Sequence, residues 1–424
     1  MDSANNKTEP ARVRRRHVVY VQGYDPRGLA EYYRMFRSEY RKFCALYGLT
    51  GTIGKLADAT DHFTATWPLV TTGNGWQVDT TYQFLRWEDI IRGDFAQPIW
   101  WKIFHGLVTF FWLIRQGTLA AFTRHNWRFT GFVAYAYVVL ISHVLVAALC
   151  GVAAGYLVGA ILSFPYLPLL AGLAAFATVV TLLVTRTEQQ TYMLYMFNDI
   201  IATFRYANRR RPDWEERFEL FAHYLVAAVK STNADEVIVI GHSSGSFIAI
   251  DVLTRALAHD PELGRHGPRV ALMTVGSNIP TAGFHPASGW YRERLARIAV
   301  EPAIDWVDYQ SRKDIMNFFA FDPIRGHGIE LGAARRNPTV VPVRFRDIVK
   351  PENYPRFRWR FFRLHFQFLM ANERLGAAYD YFMICCGPFD LMTRATRPDA
   401  VVAAVAPKNP LPAPIRPPDD DTAA

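Results

Sequence analysis

The stretch EVIVIGHSSGSFIAIDVL, Glu236–Leu253, decides the fold. Its first residues are mostly β-branched and apolar and read as a buried strand. The run ends at Gly241. His242, Ser243 and Ser244 follow, then Gly245 and an apolar pattern suited to a helix. A strand that passes at once into a helix is the repeating unit of a parallel α/β sheet. Ligands of such sheets lie beyond the carboxyl ends of the strands. A serine in that sharp turn projects its hydroxyl out of the sheet. The turn is strained, so the positions two before and two after need minimal side chains. Gly241 and Gly245 meet this need around Ser243; counted from Ser244, the spacing fails. Backbone amides at the start of the next helix favour negative charge developing on a bound group.

Other segments extend the pattern. His17–Tyr24 (HVVYVQGY), Asp79–Trp87, Arg269–Ser277, Ala303–Ser311 and Thr339–Phe345 read as strands. Trp214–Ser231 carries apolar residues three and four apart, as an amphipathic helix does. Strands alternating with helices predict a mostly parallel sheet covered on both faces. This α/β domain is expected in two parts, residues 16–97 and 186–394.

An apolar insertion separates the parts. From Phe129 to Thr185 there are 57 residues without Asp, Glu, Lys or Arg. Two spans of ~20 residues and a turn account for that length. Residues 129–185 therefore read as a transmembrane hairpin, with spans near Phe132–Leu157 and Pro168–Val184 and a turn at Ser163–Pro168. The alternative is a buried helical hairpin in a soluble core. His143 would be a hydrogen-bonding group between the helices or a functional one. Arginines flank the pair at Arg115, Arg124, Arg128 and Arg186, and the turn has none. By the positive-inside rule both flanks, the α/β domain and both termini are cytoplasmic. Residues 98–128 precede the hairpin. Their Pro98–Gly117 run, rich in Trp and Phe, suits an interfacial helix or a core-packing one.

The chain has 424 residues and a net charge of +9. The charge suits an anionic membrane surface, since no nucleic-acid motif accompanies it. Four cysteines form neither metal spacing nor a disulfide framework. Residues 1–15 read as a basic arm and 395–424 as a disordered Pro/Ala-rich tail. The arginine-rich, lysine-poor composition suits a GC-rich bacterium, and with it the bacterial inner membrane.

With Gly241, His242, Ser243, Ser244 and Gly245 between strand and helix, the sequence resembles the α/β-hydrolase fold in its serine esterase and lipase-like branch. The resemblance covers about 16–94 and 190–391; the hairpin is not part of the common fold. It implies the chain order nucleophile, acid, histidine. Ser243 is then the nucleophile. Asp314, in a polar loop after a strand, is the preferred acid, ahead of Asp308 and Asp305 within that strand. An N-terminal acid of a helix is the competing reading of Asp314. His365 is the preferred base, with His327 as the alternative. The resemblance further implies an oxyanion hole from the amides of Ser244 and Tyr24, with Gln22 where the family usually has His. No metal or organic cofactor is implied. The expected substrate is an apolar, lipid-like ester, and the expected partner is the bilayer. A thioesterase or peptidase of the same fold, or a silent membrane scaffold, are the alternatives.

Overall fold

The computed structural model describes residues 12–358 and 360–405. One sheet contains β1 (Arg15–Val21), β2 (Thr50–Ile53), β3 (Ala57–Asp58), β4 (Thr64–Gly73), β5 (Trp76–Leu85), β6 (Glu236–His242), β7 (Arg269–Val275), β8 (Ile304–Gln310) and β9 (Thr339–Pro342). The spatial order is β2-β4-β5-β1-β6-β7-β8-β9, with β3 beside β4. From β5 to β9 every pairing is parallel. Around β4 every pairing is antiparallel. The fold is therefore α/β with a mixed, mostly parallel sheet.

All six strands expected from the sequence are present. The last is shorter than expected: it ends at Pro342, which has no N–H to continue a ladder, and Phe345–Ile348 is a helical turn. The β2–β4 meander was not anticipated.

Alternation along the strands builds two cores. Val18, Tyr20, Ile238 and Ile240 face α1 (Leu29–Tyr47) through Phe36, Tyr40 and Phe43. Val19, Val21, Val237 and Val239 face the opposite layer. Each such side chain contributes about 1.5–3 kcal/mol on burial.

Helices α2 (Glu88–Phe95), α3 (Ile99–Arg115), α4 (Thr118–Ile161), α5 (Leu167–Thr191) and α6 (Met193–Ala207) follow β5. Then α7 (Pro212–Ser231) leads to β6, and α8 (Gly245–His259) leaves it. The second layer is built from α7 and α8, with Phe218, Phe221 and Leu225 of the former against Phe247, Ile250 and Leu253 of the latter.

Two helices, α4 and α5, are long and apolar enough to cross a membrane. They extend beyond the expected spans because their lower ends continue into the α/β domain. There Phe129, Val133 and Tyr137 pack against α6. Asn126 breaks α4 with non-helical backbone, and its Oδ1 accepts the amides of Arg128 and Phe129. It thus caps the apolar part of the helix. Further along, Gly151 and Gly155 let the pair approach closely: a Cβ there would lie 2.8 Å from Gly172 O and 2.9 Å from Pro168 O. His143 Nε2 pairs with Thr187 Oγ1 at 3.2 Å, bridging the helices. On α3, Ile103 and Leu113 are buried, as in a core-packing helix, while Trp100, Phe104 and Phe111 are exposed.

Two boundaries need correction. Arg15, the last residue of the expected arm, already lies in β1, and Arg16 beside it is buried and bonds Glu236 Oε2 at 2.8 Å and the carbonyls of Gly387 and Phe389. The expected tail begins inside the helix Leu391–Thr396 and is helical again over Pro398–Val405, where Val401 and Val405 are apolar enough to bury. The remainder of the arm and tail calls, residues 1–11 and 406–424, lies outside the described residues.

Candidate active site

Register brings the chemistry to one edge. Val21 pairs with Gly241, His242 with Val275, and Val275 with Tyr309. The segments after β1, β6, β7 and β8 therefore emerge side by side at the carboxyl ends of their strands.

Ser243 stands at the turn between β6 and α8 with φ +57°, a left-handed conformation that costs roughly 1–3 kcal/mol for a residue with a side chain. The glycines are required by contact. A Cβ at Gly241 would lie 2.4 Å from Gly245 O, and one at Gly245 would lie 2.2 Å from Val21 O. Ser246 Oγ donates to Ser243 O at 2.5 Å and accepts from Asn278 N at 3.0 Å, locking the turn to the loop after β7.

Asp314 and His365 meet. His365 Nδ1 donates to Asp314 Oδ2 at 2.7 Å, and both side chains are buried. Asp314 Oδ1 accepts the Met316 amide at 3.0 Å. The residues after Asp314 form turns, so it is not the N-terminal acid of a helix. His365 closes the short helix Phe361–His365. Its Nε2 is buried with no hydrogen-bond partner among the described residues. Gly276, at φ +54°, makes room for the ring: a Cβ there would lie 3.0 Å from His365 Cε1.

The alternative residues stand elsewhere. Asp308 is buried in β8 and bonded to Thr274 Oγ1 (2.6 Å) and Gln310 Nε2 (2.7 Å). Burial pushes its carboxyl up to about 6. Asp305 lies at the opposite end of β8 from the loop carrying Asp314. His327 donates from Nδ1 to Pro323 O at 2.6 Å and packs on Phe284 and Phe321.

Among the described residues no hydrogen bond joins Ser243 and His365. Ser243 Oγ accepts from Asn278 Nδ2 at 3.3 Å. His242 packs against His365, with ring centres 4.6 Å apart. Burial, then the neighbouring His365, holds its imidazole well below the usual range. Neutral His242 donates from Nε2 to His365 O at 3.2 Å.

The loop after β1 touches the serine: a Cβ at Gly23 would lie 3.0 Å from Ser243 Cβ. Tyr24 and Ser244 thus flank Ser243 on two backbone segments. Tyr24 is fixed by its hydroxyl on Asp94 (2.7 Å) and by the Tyr195 hydroxyl on its carbonyl. The Gln22 amide is buried with neither end hydrogen-bonded.

Two residues of this edge escaped sequence reading, Asn278 and Asp199. Asn278 directly follows the expected strand Arg269–Ser277, where the position past a β-strand's carboxyl end was a usable signal. Asp199 lies on α6 among apolar residues, which was a weaker one. Burial pushes its carboxyl up to about 7, while the Ser244 hydroxyl, the His365 imidazole and the Thr203 hydroxyl pull it back. A cavity begins here, lined by Asn278, Asp199 and residues of α4 and α6.

No family model matches the chain, and neither a curated protein nor a solved structure matches it.

Proposed function

We propose that the protein is a membrane-anchored serine hydrolase that cleaves carboxylic esters through an acyl-serine intermediate. The observation that carries this reading is the buried His365–Asp314 hydrogen bond at the sheet edge of Ser243, with His365 Nε2 left without a partner. The strand order and the positions of nucleophile, acid and base support membership of the α/β-hydrolase fold.

In this mechanism Ser243 Oγ attacks the ester carbonyl carbon while His365 Nε2 takes its proton. The tetrahedral oxyanion is held by the amides of Ser244 and Tyr24. The carbon–oxygen bond to the alcohol then breaks, and His365 returns the proton to the departing oxygen. Water repeats the sequence on the acyl-serine and releases the acid. Asp314 keeps the proton on His365 Nδ1 and stabilises the imidazolium. Losing one oxyanion donor costs ~10²–10³ in turnover.

The apolar α4–α5 pair anchors the enzyme in a membrane, in our reading the bacterial inner membrane. Both helices return to the α/β domain, and Arg124, Arg128 and Arg186 lie at that end. This favours a cytoplasmic site with the Ser163–Tyr166 turn on the far side. One observation favours a silent scaffold instead: Ser243 Oγ bonds Asn278 rather than His365. Hydrogen bonds of this kind often tighten only with substrate bound.

Hydrolysis of p-nitrophenyl butyrate by the purified protein in nanodiscs tests the reading. Ser243→Ala and His365→Ala should each lower kcat by ~10⁴ or more. Equal turnover in wild type and Ser243→Ala would refute it.

A further inference from the structure

We propose that the membrane hairpin forms a wall of the substrate site, and that the cavity between α4 and α6 holds the acyl chain of a bilayer lipid ester. The proposal rests on the serine-hydrolase reading and adds the substrate class and its route of entry.

The cavity has two unlike kinds of lining. Most of it is apolar, with Phe129, Phe132 and Val133 of α4 and Met196 and Ile200 of α6. Its polar lining includes Asn278 and Asp199, with Thr203, Thr281 and His285. Asn278 Nδ2 already donates to Ser243 Oγ, so this lining residue stands one hydrogen bond from the nucleophile. Asn278 is buried, and its Oδ1 has no hydrogen-bond partner among the described residues; Asp199 Oδ1 has none either. Buried polar atoms are nearly always paired, so two orphans lining a mostly apolar cavity mark a place for the polar part of a ligand. An ester with a long acyl chain has that shape: a polar group to set beside Ser243 and a chain to line the cavity.

The hairpin is built into the site at several points. Asn126, which caps the apolar part of α4, donates from Nδ2 to Asn317 O at 2.8 Å. Asn317 in turn donates to the carbonyl of Asp314. Phe132 packs on Phe361, with ring centres 5.5 Å apart, four residues before His365. The same turns of α4 that line the cavity lead directly into its exposed apolar face at Val138, Ile141 and Leu145. Trp100, Phe104 and Phe111 of α3 are exposed as well. A lipid chain can therefore pass from bilayer to cavity without entering water, which a soluble ester has no need to do.

The test uses the full-length protein in nanodiscs, with Val133→Trp and Ile200→Trp filling the cavity from two different helices. Turnover of p-nitrophenyl acetate, butyrate, laurate and palmitate is measured in each, with fluorophosphonate labelling as the control for an intact site. The expected result is a long-to-short ratio of kcat/KM lowered by about 10-fold or more in both variants, with labelling and acetate turnover retained. An unchanged ratio in variants that label normally would overturn the proposal. Binding of a pyrene-labelled palmitate ester to Ser243→Ala separates the two claims. Tight binding that Val133→Trp weakens supports the acyl cavity even if wild type fails to label, in which case the hydrolase reading alone falls. Equal binding to Ser243→Ala and to Ser243→Ala/Val133→Trp would overturn the cavity. For the source of the chain, wild type is given the same palmitate ester within the nanodisc bilayer or presented on albumin. Faster turnover from the bilayer is expected, and faster turnover from albumin would contradict lateral entry.

Discussion

Asp199 shows how a single residue exposes the chemistry of this sheet edge. Its carboxyl titrates near 7 because burial penalises the anion more than the Ser244 hydroxyl, His365 and Thr203 relieve it. An unfolded Asp titrates near 4. Between those values the folded chain holds a proton that the unfolded chain has released, so this group's contribution to stability falls as pH rises from about 4 to about 7. Asp199→Asn removes that loss. The variant's Tm should therefore gain on wild type as pH is raised from about 4.5 to about 8, measured by thermal unfolding in one detergent. A constant difference across that range would show that Asp199 is not buried as an acid. At this scale the sequence was legible where local geometry dictates the residue type. Gly241, Ser243 and Gly245 were readable because the turn admits little else. Asp314 was separable from Asp308 only by the loop that carries it, and His365 from His327 only by chain order. Asn278 and Asp199 were not found, since their roles depend on residues distant in sequence and brought near by the fold, Ser243 for the first and Ser244 and His365 for the second.

Elements were legible in proportion to their burial. The central strands, buried on both faces, read as continuous apolar runs. The β2–β4 meander did not: β2 and β3 are exposed, and β4 carries Pro68 in mid-strand, a residue that argues against a ladder. The hairpin was visible from its missing charges, but its contacts with α6 through Phe129, Val133 and Tyr137 were not, because an apolar side chain reads alike against lipid and protein; the Asn126 bond to Asn317 O lies before the apolar run. The strand-to-helix turn makes the sharpest prediction for an element. Gly245→Ala would set a methyl 2.2 Å from Val21 O, which only a shift of β1 or α8 can relieve. Overpacking of this kind costs roughly 3 kcal/mol. Gly93 of α2 has open space, so Gly93→Ala should be neutral or slightly stabilising. Urea unfolding of the two variants in detergent checks this, and equal midpoints would show that the turn tolerates a side chain at Gly245.

At the scale of the whole molecule, a mixed α/β sheet and an apolar helix pair are joined near Ser243. Exposed Leu149, Val152, Leu157, Leu169 and Leu173 cover the pair, a surface that water disfavours and acyl chains satisfy. The full-length protein should remain in the membrane pellet after alkaline carbonate extraction, and release into the supernatant would remove the anchor from this account. The central claim is that Ser243 is an activated nucleophile, supported by His365 and Asp314. Labelling with a fluorophosphonate probe in nanodiscs, followed by mass spectrometry of the modified peptide, tests it most directly. The account predicts one adduct, on Ser243, lost in Ser243→Ala and formed far more slowly in Asp314→Asn, where the imidazole is held in the wrong tautomer. Folded wild-type protein that takes up no probe, or an adduct that persists in Ser243→Ala, would contradict it.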